Sequence, residues 1–450
     1  MTTLRPWVSI VAPLAMLTAC FSGDAASGLP CSDDQYCAGL ACEQGFCSGP
    51  PDTVGATTDP STTPGESGAT TAITGSTGPS DTTEPSGTTG LPGDCPTTPR
   101  VCWGDCFTVA GADRIYTDGR AVDIEVLPLG DPLAPPDLVS VHVGQEGKGL
   151  APRLEFRVSS NAIFPTASIE HPLSFDPGWV EAGAIAGDPH GDVVIAYQAD
   201  AAVAVWLWGG EDFSAIGGQP ISTGAFPRVP VIAALDGASG PEIAFASELG
   251  IEVFSDIMPD GVLKHVLDVG YVEFIVAASI DEGSEALVVA SSNEIVAYRV
   301  SLDDDSAQAL READVMLPVF LAVADLDGDG NEDVVVASDN GHIYLAPGFA
   351  SPAEPQAVRD IGQFVGAPRG LSIGDVDADC DLDVAVLAYT DANEDVVLLR
   401  NDGTGLLTDA TPLGLEAIYS MRIADLEGDG VGEIVVSTGA ATIEVLRQAP

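Results

Sequence analysis

The stretch Leu321–Ser338, LAVADLDGDGNEDVVVAS, decides how the chain is read. An apolar run enters a loop of alternating carboxylates, and a second apolar run leaves it. Asp325, Asp327, Asp329 and Asp333 stand at relative positions 1, 3, 5 and 9, with Gly328 and Gly330 between them. Alternation sends side chains of one parity inward, and glycine lets the backbone bend tightly. Carboxylates this close repel one another unless a cation sits among them. Oxygen ligands in a flexible acidic loop suit calcium better than magnesium. The first half reads like an EF-hand loop. The rest departs from it, because Val336 stands at position 12 in place of a bidentate glutamate and the flanks are short β-type runs. The stretch therefore predicts a strand–loop–strand calcium site.

The same pattern recurs along the chain. Ile373 to Asp383 repeats the loop and leads into VAVLAY, and Ile423 to Glu433 repeats it and leads into IVVSTG. Upstream, VAASIDEGSEALVVASS from Val276, VIAALDGASGPEIAFAS from Val231 and GAIAGDPHGDVVIAY from Gly183 keep both apolar runs. Their loops read as too short for a full ligand set. PPDLVSVHV around Asp137 keeps only the second run. The second runs begin at Leu138, Val193, Ile243, Leu287, Val334, Val384 and Ile434, with steps of 55, 50, 44, 47, 50 and 50. One such unit cannot bury both faces of its sheet alone, whereas units packed in a ring cover one another. The spacing predicts an all-β fold, a seven-bladed β-propeller of four-stranded blades. The third strand is visible in HIYLA, VVLLR and TIEVL, and the fourth is less distinct.

Composition agrees. Among 450 residues, 68 acidic side chains against 16 basic ones give a formal charge of -52, which excludes binding nucleic acid or an anionic membrane face by charge. Fifty glycines and 33 prolines favour a turn-rich β protein.

Residues 1–19 read as an export signal, with Arg5 in a weak n-region and an apolar stretch too short to span a bilayer. They end in Leu17-Thr18-Ala19-Cys20, which resembles a bacterial lipobox and implies lipidation of Cys20. Phe21 is not the aspartate that retains lipoproteins at the inner membrane, so the resemblance implies the outer membrane or cell surface. In residues 20–48, Cys31, Cys37, Cys42 and Cys47 read as a small two-disulfide module, since export points to an oxidising compartment. A zinc site would want paired C-x-x-C spacing. Residues 49–93 are rich in Thr, Ser, Gly and Pro, cannot bury a core, and read as a disordered tether. Cys95, Cys102, Cys106 and the distant Cys380 remain; parity suggests that Cys380 pairs with one of the other three. The propeller then occupies 94–450.

The motif D-x-D-G-D-G-x-x-D between strands, with NDGTGLLTD at 401–409, resembles the FG-GAP/VCBS repeat that builds the seven-bladed, integrin-alpha-like propeller. The resemblance covers roughly 110–447. It implies three calcium-ligand sets, with a main-chain carbonyl at position 7. They are Asp325, Asp327, Asp329, Asn331 and Asp333; Asp375, Asp377, Asp379, Asp381 and Asp383; and Asp425, Glu427, Asp429, Val431 and Glu433. Ala378 and Cys380 replace glycines in the second set, which implies strain or a disulfide lock there. Longer glutamates in the third imply altered geometry. Affinities on the order of 10⁻⁴–10⁻³ M are expected for extracellular calcium modules.

The five histidines, His142, His171, His190, His265 and His342, stand in no metalloprotease pattern and near no nucleophile with a partner in the sequence. There is no G-x-S-x-G, Walker loop or dinucleotide fingerprint. Trp206 and Trp208 would share one strand face, a sugar platform or core packing. The reading is therefore an outer-membrane or cell-surface lipoprotein, held to the membrane through its lipid anchor only. It presents a non-catalytic, calcium-stabilised binding or adhesion propeller to an extracellular protein or glycan. The rival readings are a secreted propeller lyase or hydrolase acting on polysaccharide, and a structural spacer.

Overall fold

A computed structural model describes residues 41–43, 46–48, 107–108, 114–127, 136–157, 168–185, 191–208, 213–215, 220–224, 226–235, 240–258, 261–281, 284–351, 356–389 and 394–448. The export segment, Cys20, Cys31, Cys37, Cys95, Cys102, Cys106 and the Thr/Ser/Gly/Pro stretch lie outside them. Two compact units divide the chain: residues 21–92, and residues 93–450 together with 1–20. In the smaller unit, β1 (Ala41–Glu43) pairs antiparallel with β2 (Phe46–Ser48), with Cys42 opposite Cys47 in the register.

The larger unit opens with β3 (Phe107–Thr108) and β4 (Arg114–Tyr116). Seven antiparallel meanders follow. Blade 1 is β5 (Ala121–Leu127), β6 (Asp137–His142), β7 (Arg153–Arg157) and β8 (Ile169–Pro172). Blade 2 is β9 (Trp179–Gly183), β10 (Asp192–Tyr197) and β11 (Ala202–Trp208), with β12 (Phe213–Ala215) and β13 (Ile221–Ser222) both on the edge of β11. Blade 3 is β14 (Pro230–Ala233), β15 (Glu242–Ser247), β16 (Gly250–Met258) and β17 (Gly261–Leu267). Blade 4 is β18 (Phe274–Asp281), β19 (Ser284–Ser291), β20 (Glu294–Ser301) and β21 (Ser306–Asp314). Blade 5 is β22 (Pro318–Ala324), β23 (Asp333–Ser338), β24 (His342–Ala346) and β25 (Arg359–Gln363). Blade 6 is β26 (Ala367–Gly374), β27 (Asp383–Tyr389), β28 (Glu394–Asn401) and β29 (Leu407–Pro412). Blade 7 is β30 (Ile418–Ala424), β31 (Glu433–Thr438) and β32 (Thr442–Gln448).

The fold is the all-β, seven-bladed propeller that the repeat spacing implies. First strands touch in a closed circuit, β5 to β9, β14, β18, β22, β26, β30 and back to β5. Among the described residues, blade 7 has three strands of its own. The start of the unit supplies the fourth, with β4 registered on β32 (Ile115 opposite Ile443) and β3 beyond it (Phe107 opposite Gln448). The ring is thereby closed by strand pairing, and the open edge is covered.

Second strands are buried on both faces, as β10, β15, β23 and β31 show at every residue. Neighbouring blades cover them, which is why they read as unbroken apolar runs. Trp206 packs with the blade 1–2 core, its ring 5.1 Å from His171, which stacks on Phe156. Fourth strands such as β21 and β25 face solvent and are polar. In each meander, first-to-second and third-to-fourth loops leave one end of the ring. Second-to-third hairpins and inter-blade turns leave the other.

Charge is buried where the inner strands of blades 7, 1 and 2 meet. Arg422 Nε donates to Glu125 Oε1 at 3.0 Å, and its Nη2 lies 3.7 Å from Asp123 Oδ1. Asp123 also accepts from Ser420 Oγ at 2.8 Å and from the N–H of Val180 at 2.8 Å. Glu181 stands beside them with Oε2 lacking a hydrogen-bond partner. Three carboxylates share one guanidinium, so burial, only partly offset by Arg422, pushes Asp123 up to about 7 and raises Glu125 and Glu181.

Candidate metal centre

The acidic loops join first to second strands in blades 5, 6 and 7, at one end of the ring. Each is eight residues long, at 325–332, 375–382 and 425–432. The chain turns through left-handed conformations at positions 4 and 6. Gly328, Gly330, Gly428 and Gly430 adopt them freely, with φ between +70° and +86°. Ala378 and Cys380 take the same conformation in blade 6 at φ +64° and +71°, where a Cβ is strained. Cys380 is disulfide-bonded.

Two of the three expected ligand sets gather. Carboxylate oxygens of Asp325, Asp327 and Asp333 lie within 4.8 Å of one another, and so do those of Asp375, Asp377 and Asp383. These are positions 1, 3 and 9. Position 5 is turned aside: Asp329 accepts from the N–H and side-chain amide of Asn331, and Asp379 accepts from the N–H of Asp381 and from Arg400 at 2.9 Å. In these two clusters, Asp325 Oδ1, Asp327 Oδ1 and Asp377 Oδ1 are buried without a hydrogen-bond partner. Orphaned oxygens within a cluster of carboxylates fit a hard cation. Without one, burial raises Asp333 and Asp375 to about 6, Asp377 to about 7 and Asp383 to about 9, with neighbouring carboxylates adding to the effect.

The third set is not drawn together. Arg447 stands there instead, 2.6 Å from Glu427 and 3.3 Å from Glu433, while Asp425 is occupied by the N–H groups of Gly428, Asp429 and Gly430. Asp429 accepts from the N–H of Val431. Arginines also approach the other two loops. Arg359 reaches Asp327 at 3.0 Å, and Arg400 reaches Asp377 at 2.7 Å. These counter-charges come from third and fourth strands, far from the loops in sequence, and no local motif signals them.

The loops of blades 2 and 3, at 184–191 and 234–241, have the same eight residues, so the expectation that they are shortened is corrected. They are short of carboxylates, not of length: 184–191 carries only Asp188 and 234–241 only Asp236. Blade 4 alone among these is short, at 282–283. What the five long loops share is a clamp. The carboxylate at position 9 accepts the N–H of position 2: Asp192 from Ile185 (2.9 Å), Glu242 from Leu235 (2.8 Å), Asp333 from Leu326 (3.0 Å), Asp383 from Val376 (3.2 Å) and Glu433 from Leu426 (2.8 Å). Each position 2 side chain is buried. Asp333 is thus a loop-closing residue as well as a candidate ligand.

The sequence profile for FG-GAP-like repeats matches residues 325–386 and 375–436. No curated protein matches the chain. Among solved structures, BBS1N in complex with ARL6DN, soaked with lead, superposes at a TM-score of 0.50 with 12% identity, covering 77% of this chain and 98% of that one. Virginiamycin B lyase from Staphylococcus aureus gives 0.49 at 12% identity, covering 76% and 99%. At such identity the first likeness shows a shared fold alone. The chain carries FG-GAP-like repeats across residues 325–436 of a seven-bladed propeller.

Proposed function

We propose that the chain is a lipid-anchored protein of the outer membrane or cell surface whose propeller is a calcium-stapled binding module. The observation that carries the binding reading is the end of the ring opposite the acidic loops. Its inter-blade turns expose large apolar side chains around the circle: Phe175, Phe226, Tyr271, Met316 and Val365, joined by Tyr116 from the closing strand. Val365 is 78% exposed and Tyr116 75%. Arginines sit over tyrosines at the same end, Arg228 over Tyr271 at 5.1 Å, Arg369 over Tyr389 at 5.7 Å and Arg120 over Tyr419 at 4.8 Å. Tyrosine, arginine and methionine on an apolar rim are the composition of protein interfaces. Calcium in the loops of blades 5 and 6 would bind Asp325, Asp327 and Asp333, and Asp375, Asp377 and Asp383, and fix the blades at the other end.

The test is binding of the full chain to extracellular proteins and glycans, compared with Met316→Glu plus Val365→Glu. Loss of the captured partner in the variant supports the reading, and undiminished capture sinks it. Cys20→Ser should release the protein from membranes, and retention would refute the anchor.

A further inference from the structure

We propose that Ser255, His265 and Asp305 form a hydrolytic relay between blades 3 and 4, acting on neutral carboxylic esters of short acyl chain. This goes beyond the binding reading and does not rest on it. Ser255 lies on β16, His265 on β17, and Asp305 in the turn between β20 and β21. Ser255 Oγ is 2.9 Å from His265 Nε2, and His265 Nδ1 is 2.6 Å from Asp305 Oδ1. A hydroxyl on one ring nitrogen and a carboxylate on the other is the connectivity that nucleophilic catalysis needs. One nitrogen takes the serine proton, while the carboxylate fixes the tautomer and steadies the imidazolium. The other serine–histidine contact among the described residues lacks it. Ser140 Oγ and Glu155 Oε2 both approach Nε2 of His142, at 2.9 and 3.3 Å, and that ring is fully buried.

The surroundings suit acyl transfer. The ladder between β16 and β17 slips between Ser255 and Met258, leaving Asp256 and Ile257 without register partners. The N–H of Asp256, next after the nucleophile, is the donor we assign to the oxyanion. Leu263 is the register partner of Ser255, so it shares that face of the sheet, and it is 55% exposed. It offers an apolar contact for the acyl chain. The His265 side chain is 15% exposed and that of Asp305 62%, while Ser255 is 6% exposed. The site therefore opens to solvent over the imidazole, with the hydroxyl at its floor. The formal charge of -52 disfavours anionic esters.

In the first step Ser255 Oγ bonds to the ester carbonyl carbon as His265 Nε2 takes the hydroxyl proton. The tetrahedral oxyanion collapses, the carbon–alkoxy bond breaks, and the departing alkoxide takes that proton and leaves as the alcohol. Water then adds to the acyl-serine, with His265 again accepting a proton. The carboxylic acid leaves and the proton returns to Ser255.

The experiment uses the full chain with 4-nitrophenyl butyrate and a fluorophosphonate probe. Nitrophenol release and a covalent label on the peptide containing Ser255 are expected. Ser255→Ala and His265→Gln should abolish both while the melting transition stays cooperative. Asp305 is a positioning residue. Asp305→Asn keeps a side chain that tolerates its φ of +51°. It should lower kcat by roughly 10²–10⁴-fold with KM unchanged and move the acid limb of the pH profile. No label on Ser255 in the folded wild-type chain, or hydrolysis surviving in Ser255→Ala, overturns the assignment.

Discussion

Arg422→Met tests how the ring is held at its inner wall. The methionine matches the arginine stem in length but leaves Asp123 and Glu125 buried without their counter-charge. Removing one member of a buried ion pair costs about 3–5 kcal/mol. The propeller spans roughly 340 residues, so its unfolding entropy near the melting point is about 0.7 kcal/mol/K, and Tm should fall by about 4–7 °C at pH 8. The pH dependence gives the sharper reading. Asp123 is held at about 7 in the fold against 3.8 ordinarily. The native state therefore binds its proton more tightly. The stabilisation is complete below the ordinary value and is lost as pH rises through about 7, a swing of about 4 kcal/mol for this group. Arg422 holds that carboxyl down, so its loss raises Asp123 and Glu125 further and extends the decline to higher pH. Calorimetry of both proteins from pH 5 to pH 8 should show the Tm gap widening with pH. A gap that is constant or narrows, or a fall under about 1 °C at pH 8, refutes the account.

Calcium at ~10 mM should raise Tm over chelator by roughly 4 °C for each occupied loop. This follows from about 2.7 kcal/mol at a hundredfold excess over a dissociation constant of ~10⁻⁴ M. Asp327→Ala with Asp377→Ala should remove the shift, and its persistence would place the cation elsewhere. Arg447→Met should let Glu427 and Glu433 accept calcium, so that titration calorimetry gains a site; an unchanged stoichiometry would show that the arginine does not stand in for the ion. Asp192→Ala breaks a clamp in a loop whose positions 1 and 3 are alanines. It should cost about 1–3 kcal/mol equally with and without calcium, because an amide is left unsatisfied; a calcium-dependent cost would mean the loop binds metal.

The second strands of all seven blades were legible because neighbouring blades cover both faces of their central residues, which are therefore mostly apolar in an unbroken run. Fourth strands escape that constraint. β25 and β29 face water, and their sequences RDIGQ and LTDATP carry no pattern that distinguishes them from loops. The fourth strand of blade 7 was beyond any local reading, because Ile115 meets Ile443 across most of the chain. Much smaller separations were enough to hide Arg359, Arg400 and Arg447 from the loops they counter, and Asp305 from His265. Ser255 and His265 are ten residues apart on adjoining strands, and only the register with its bulge brings hydroxyl and imidazole together.

The acidic loop now divides into two devices that the sequence shows as one. Position 9 closes the loop in five blades, whether or not other carboxylates are present, and its partner is always the N–H seven residues earlier. Carboxylates at positions 1 and 3 are a separate addition. They converge on position 9 in blades 5 and 6 and leave buried oxygens unsatisfied there, which is costly without a cation. In blade 7 the same addition is answered by Arg447. A loop can thus lose most of its metal ligands and keep its length and its clamp, as blades 2 and 3 do. Metal binding is therefore not what defines the repeat. The aspartates mark the loops that carry the extra charge, and an acidic residue opening a largely apolar strand marks the loops that share the clamp.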